Sequence, residues 1–102
     1  MGPSNARTVV VLFTIPGCGA CMEYKPRFAR IAQQFPHVPV YMLNANDTRP
    51  EVADLASRLH VANVPATFVL RRPTGVIRVE GAIPDSQIAW LLGVAAREAN
   101  PY

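Results

Sequence analysis

The only two cysteines of the chain, Cys18 and Cys21, stand three residues apart, where a β-branched apolar run gives way to a helical periodicity. A fold built around them needs a strand, a tight turn, and a helix whose first turn carries both thiols. Two thiols at that spacing close a small ring and carry two electrons reversibly. Zinc sites use the same spacing but need further ligands, and His37 and His60 do not stand at the separations such a site requires. With no other cysteine in the chain, strand–CxxC–helix reads as thiol–disulfide exchange.

The rest of the chain supplies the elements that such a unit needs. Residues 8–14 are apolar or β-branched almost throughout, which predicts a central strand buried on both faces. Ile15-Pro16-Gly17 breaks it. From Cys18 the pattern is helical, with Tyr24, Phe28, Ile31, Ala32 and Phe35 on one face, a kink expected at Pro26, and an end at Pro36. Residues 38–43 read as a second strand. Thr48 is the expected N-cap of a second helix, with Pro50 in its first turn, Glu51 three residues on, and Val52, Leu55, Ala56 and Leu59 facing inward. Residues 67–70 and 76–79 form a hairpin through a Pro73-Thr74-Gly75 turn, and Gly81 ends it. A last helix spans 85–98, with Ile88, Leu91, Leu92 and Ala95 on its inner face and Trp90 expected to pack onto the sheet. The order β-α-β-α-β-β-α predicts an α/β fold: a mixed four-stranded sheet with helices on both faces. Both strand–helix–strand links are expected to give parallel pairs, and the hairpin an antiparallel one.

At 102 residues the chain is one domain, with an ordered core expected over about 8–98. Half of it is apolar and 17% is charged, as in a compact globular protein. Its net charge of +3 comes from scattered basic residues with little aromatic interleaving, which argues against nucleic-acid binding. It does favour encounters with acidic protein partners. The run Val9–Phe13 is too short to span a bilayer and is followed by no cleavage site, so neither a membrane span nor export is expected. The expected compartment is then the reducing cytoplasm, where a CxxC is catalytic or metal-binding rather than structural.

Cys18-Gly19-Ala20-Cys21, Pro26 five residues after the second cysteine, Val64-Pro65-Ala66-Thr67 before a strand, and Gly81 after the hairpin together resemble the thioredoxin family. The resemblance covers roughly residues 8–98, without the family's extra N-terminal strand and helix. It implies a cis bond at Pro65. Departures at four positions accompany it. Gly17 stands where thioredoxins carry tryptophan, and Ala20 replaces the inner proline of their motif. The buried aspartate that helps to deprotonate the second cysteine corresponds to Leu12, and its companion lysine to Met42. Both are expected as plain core residues under the site.

The chemistry follows from position. Cys18, at a helix N-terminus, meets unpaired N–H groups and the positive end of the helix dipole, and is expected to be the attacking thiol. Cys21, deeper by one turn, is expected to resolve the mixed disulfide. Gly19 and Ala20 are expected to tune the pair, since alanine keeps an N–H that proline lacks. The resemblance implies a docking surface formed by Pro16, Gly17, Val64, Pro65 and Gly81, with Val64 pairing its backbone to a substrate strand. It implies disulfide-containing protein substrates, with a thioredoxin-reductase-type enzyme or glutathione as electron donor. No cofactor beyond the Cys18–Cys21 disulfide is expected, and the fold implies a monomer. Two rivals remain. A glutaredoxin-like, glutathione-dependent reductase would carry Cys-Pro-Tyr-Cys and a later Gly-Gly pair, which are absent. A non-enzymatic docking module would show no turnover dependent on Cys18.

Overall fold

The computed structural model describes residues 8–72 and 75–99. The predicted turn residues Pro73 and Thr74 lie outside them. Strand β1 (Thr8–Thr14) is central, and of its seven residues only Val9 is not fully buried. The pleat sends its alternate side chains to opposite faces. Val10 and Leu12 join a core with helices α1 (Gly19–Ala32) and α3 (Asp85–Ala99), through Tyr24, Phe28, Ile31, Ile88, Leu91, Leu92 and Ala95. Val11 and Phe13 join a second core with Val52 and Leu59 of helix α2 (Pro50–Arg58) and its C-cap. One strand thus feeds two cores, which is why its sequence is a continuous apolar run rather than an alternating one.

The sheet order is β2-β1-β3-β4, with β2 (Val40–Asn44), β3 (Ala66–Arg71) and β4 (Gly75–Glu80). β1 and β2 are parallel, as expected. The second link is not: β3 runs antiparallel to β1, and β4 antiparallel to β3. Thr14 pairs with Asn44 at the end of β2, and Phe13 pairs with Ala66 at the start of β3. The connection that includes α2 therefore leaves and rejoins the sheet at the same end. A crossover to a parallel strand would have to carry the chain back along the sheet's full length, and α2 covers one face without doing so.

Local chemistry moves several boundaries. α1 ends at Ala32, four residues before Pro36, because the chain tightens into i→i−3 bonds from the N–H of Gln34 to Ile31 and of Phe35 to Ala32 (3.0 and 2.9 Å). Phe35 precedes proline, which disfavours helical backbone there. Pro26 lies inside α1, which continues past it. β2 begins at Val40 rather than 38, since the Val38 N–H is spent on Phe35 (3.0 Å) and Pro39 has none to give. The N-cap of α2 is Arg49, not Thr48; the Asp47 carboxylate accepts from the Arg49 N–H (2.9 Å), and Pro50 opens the helix.

Trp90 does not pack on the sheet: it is 62% exposed. At 100° per residue it stands about 200° from Ile88, opposite the buried stripe. Two arginines tie the layers together. Arg27 of α1 donates to Glu23 (2.5 Å), to Asp85 of α3 (2.6 Å) and to the Ile83 carbonyl (3.0 Å). Arg78 of β4 donates to the Leu59 and His60 carbonyls at the C-terminal end of α2 and stacks 4.9 Å over Phe68. That places a cation where the helix dipole favours one.

Candidate functional site

β1 ends at Thr14, and the chain turns through Ile15, Pro16 and Gly17 into α1. Gly17 has φ of +79°, a conformation that side chains disfavour. A tryptophan there would carry that strain, which accounts for glycine at this position once the loop takes this path. Cys18 is extended (φ −88°, ψ 112°) and forms the N-cap. Its Sγ accepts from the Cys21 N–H at 3.1 Å, as a serine or aspartate oxygen does at other helix starts. The Cys18 carbonyl takes the first helical bond, from the Met22 N–H (3.0 Å). No acidic residue stands in the first turn to oppose a negative charge on that sulfur.

The two thiols differ in exposure. Cys18 is half-buried, and Gly19 and Ala20 beside it are exposed. Cys21 is 1% exposed. Burial pushes the Cys21 thiol up from its ordinary pKa, and the hydrogen bond with Cys18 adds to this. A backbone hydrogen bond from Ile15 and the Lys25 charge pull the other way. At neutral pH Cys21 holds its proton until something draws it off.

Val64–Pro65 is a cis bond, Pro65 is buried and Val64 half-buried. The Pro65 carbonyl accepts from the Gly81 N–H (2.8 Å), and Gly81 sits at φ +87°. Pro65 directly precedes Ala66, the partner of Phe13, and Gly81 directly follows Glu80, which pairs with Ala66 from the other side. The register thus gathers Pro16, Gly17, the cysteines, Val64, Pro65 and Gly81 at one end of the sheet.

Leu12 is fully buried and pairs with both Met42 and Thr67. Met42 departs from expectation: it is 38% exposed, because β2 is an edge strand whose side is left partly open. Beside Leu12, the buried Tyr24 and Thr67 hydroxyls share a hydrogen bond (3.3 Å), and burial holds the Tyr24 phenol above its ordinary pKa. Glu80 accepts from Asn63 (3.2 Å) and lies 3.8 Å from Arg78.

Sequence reasoning missed a cavity of about 380 Å³ on the β2 side of Cys21, where Met22, Lys25, Met42 and Asn44 line the wall. The available signal was Lys25 itself, four residues after Cys21 and so on the same helix face. Among the described residues no three His, Cys, Asp or Glu side chains group together as a metal site would require, and no helix is long and apolar enough to cross a membrane.

A dithiol at the head of a helix, carried on a β2-β1-β3-β4 sheet with helices on both faces, is the arrangement of thioredoxin-like proteins. The sequence model of the Thioredoxin family matches residues 3–93. The chain belongs to the thioredoxin family. It is 28% identical to a thioredoxin H-type of Fagopyrum esculentum over 81 residues, which are 79% of this chain and 66% of that protein. It is 29% identical to thioredoxin C-3 of Corynebacterium nephridii over 75 residues, 72% of this chain and 49% of the relative. The chain thus spans about half to two thirds of the length of these curated relatives. The fold superposes on oxidised thioredoxin from Plasmodium falciparum with a TM-score of 0.73 at 20% identity, covering 91% of this chain and 85% of the other.

Proposed function

We propose that the protein reduces disulfides in other proteins by dithiol exchange. The observation that carries this reading is the asymmetric pair: a half-buried Cys18 sulfur at a helix N-cap, 3.1 Å from the N–H of a buried Cys21. The Cys18 thiolate attacks one sulfur of the substrate disulfide, and the other sulfur leaves and takes a proton. Cys21 then loses its proton and attacks Cys18, forming the Cys18–Cys21 bond and expelling the second substrate thiolate, which is protonated in turn. Two electrons have passed to the substrate. Pro16, Gly17, Gly19, Ala20, Val64, Pro65 and Gly81 form the docking surface, with Val64, just outside the β3 ladder, offering its backbone to a substrate strand. A thioredoxin-reductase-type enzyme or glutathione restores the dithiol. A monomeric, cytoplasmic protein serves this chemistry best, since its dithiol resting state needs a reducing compartment.

The test is reduction of a model protein disulfide by dithiothreitol with catalytic amounts of the protein. Acceleration over dithiothreitol alone is expected. No acceleration would leave the docking-module reading, in which the thiols are incidental.

Ala20 allows a further expectation. Its N–H, absent from a proline at that position, lies in the first turn of α1, the helix that Cys18 caps. A donor there stabilises the thiolate and so the reduced state. The couple is expected to be more oxidising than the thioredoxin reference of about −270 mV. Equilibration with glutathione measures it, and a potential at or below that reference would refute the idea.

A further inference from the structure

In thioredoxins resembling this chain a carboxylate helps to draw the proton from the second cysteine, and here that position is Leu12, fully buried and apolar. Neither Tyr24 nor Glu80 replaces it. The Tyr24 hydroxyl is paired with Thr67 and holds its proton more tightly than an ordinary phenol. Glu80 belongs to β4, the edge opposite β2; it is engaged by Asn63 and Arg78 and is absent from the cavity wall.

The cavity beside Cys21 offers another route. It reaches the buried thiol between the end of β1, the first turns of α1 and the end of β2. Of the groups that β1, the following loop and β2 contribute to it, Thr14, Ile15, Pro16, Met42, Leu43 and Asn44, none titrates. From α1 come Cys21, Met22 and Lys25, and Lys25 is the only charged side chain in the lining. Other charges on the helix are turned elsewhere: Glu23 is held by Arg27, and Arg27 by Asp85. Among the described residues Lys25 makes no ion pair. Its charge is not neutralised by a neighbour.

We propose that Lys25 is the positioning residue of the resolving step, its ammonium favouring the Cys21 thiolate while solvent entering the cavity takes the proton. The proposal rests on the dithiol-exchange reading for its role in turnover. Its electrostatic part stands by itself. The step balances: the Cys21 proton passes to water, the thiolate attacks Cys18 Sγ, the Cys18–substrate bond breaks, and the departing substrate thiolate is protonated by solvent. Lys25 exchanges no proton in this step. The direction of its influence agrees with the lowering that its charge exerts on the Cys21 thiol.

The experiment uses the Cys18→Ser protein, in which serine keeps the cap and Cys21 is the only thiol. The fraction of Cys21 ionised is followed against pH by the ultraviolet absorbance of the thiolate, with Lys25→Met, Lys25→Arg and Lys25→Glu added in turn. At a pH where Cys21 is partly ionised, Lys25→Met is expected to lower the thiolate fraction about threefold and Lys25→Glu about tenfold, while Lys25→Arg keeps it. In 1 M salt, where the screening length falls to roughly 3 Å, the differences shrink; a packing defect would persist. Superimposed curves, or an Arg variant that falls with the others, would overturn the proposal. Turnover assays with Cys18 restored separate the two readings. Turnover without any dependence on Lys25 sinks the inference alone, whereas a Lys25-dependent titration without turnover sinks the dithiol-exchange reading alone.

Discussion

Cys18→Ser is expected to reduce no disulfide faster than the reductant alone, and Cys21→Ser to attack once and stay attached to its substrate. The hydroxyl of a serine at position 18 accepts the Cys21 N–H as the sulfur does, so the helix start and the fold are retained. What is lost is the nucleophile, because a serine hydroxyl does not attack a disulfide as a thiolate does. In Cys21→Ser the first exchange proceeds, and the resolving attack has no thiolate to make it. The buried hydroxyl leaves the Cys18–substrate bond intact, and a mixed disulfide accumulates. Mass spectrometry of the protein mixed with a model disulfide substrate reads both results. An adduct on Cys18→Ser, or free turnover by Cys21→Ser, would reverse the assigned roles.

Phe28→Ala is expected to cost about 3–5 kcal/mol of stability. Phe28 is fully buried on α1, one turn after Tyr24, with ring centroids 5.8 Å apart. It packs in the core that joins α1, α3 and β1. Truncation removes the apolar contacts of a whole ring and leaves a void that side chains of a close-packed interior fill only in part. Against a total of about 5–15 kcal/mol, this is a large share for a single-domain chain. Chemical unfolding of the reduced protein, compared with Trp90→Ala as a control on an exposed ring, gives the measurement. Trp90→Ala is expected to change stability by less than about 0.5 kcal/mol, since the indole lies outside the stripe. Equal losses in the two variants would mean that α3 packs by another face.

The helix faces were legible because the 3.6-residue period records which side of a helix is buried. Tyr24, Phe28 and Ile31, and Ile88, Leu91, Leu92 and Ala95, are the residues that periodicity selects and the core contains. Trp90 misled for the opposite reason: its size suggested burial where its angular position denied it. Met42 misled because a residue in a strand pattern shows neither whether its strand is central nor whether its face is covered.

The dithiol site was legible too, because its parts are local. Strand, turn and N-cap are set by Thr14 to Cys21, with glycine at a positive φ and a sulfur in a capping position. The same holds for the hairpin and for the buried character of β1, whose alternate residues feed two cores. These follow from steric limits on the backbone and from apolar periodicity, which act within a few residues. The direction of β3, the meeting of Pro65 with Gly81, and the closing of the cavity beside Cys21 by β2 depend on segments far apart in the chain. Their placement is chosen by the packing of whole layers, and no local pattern records it. A strand–helix–strand order is compatible with either direction of return; here the connection through α2 rejoins the sheet at the end it left, and that makes β3 antiparallel to β1.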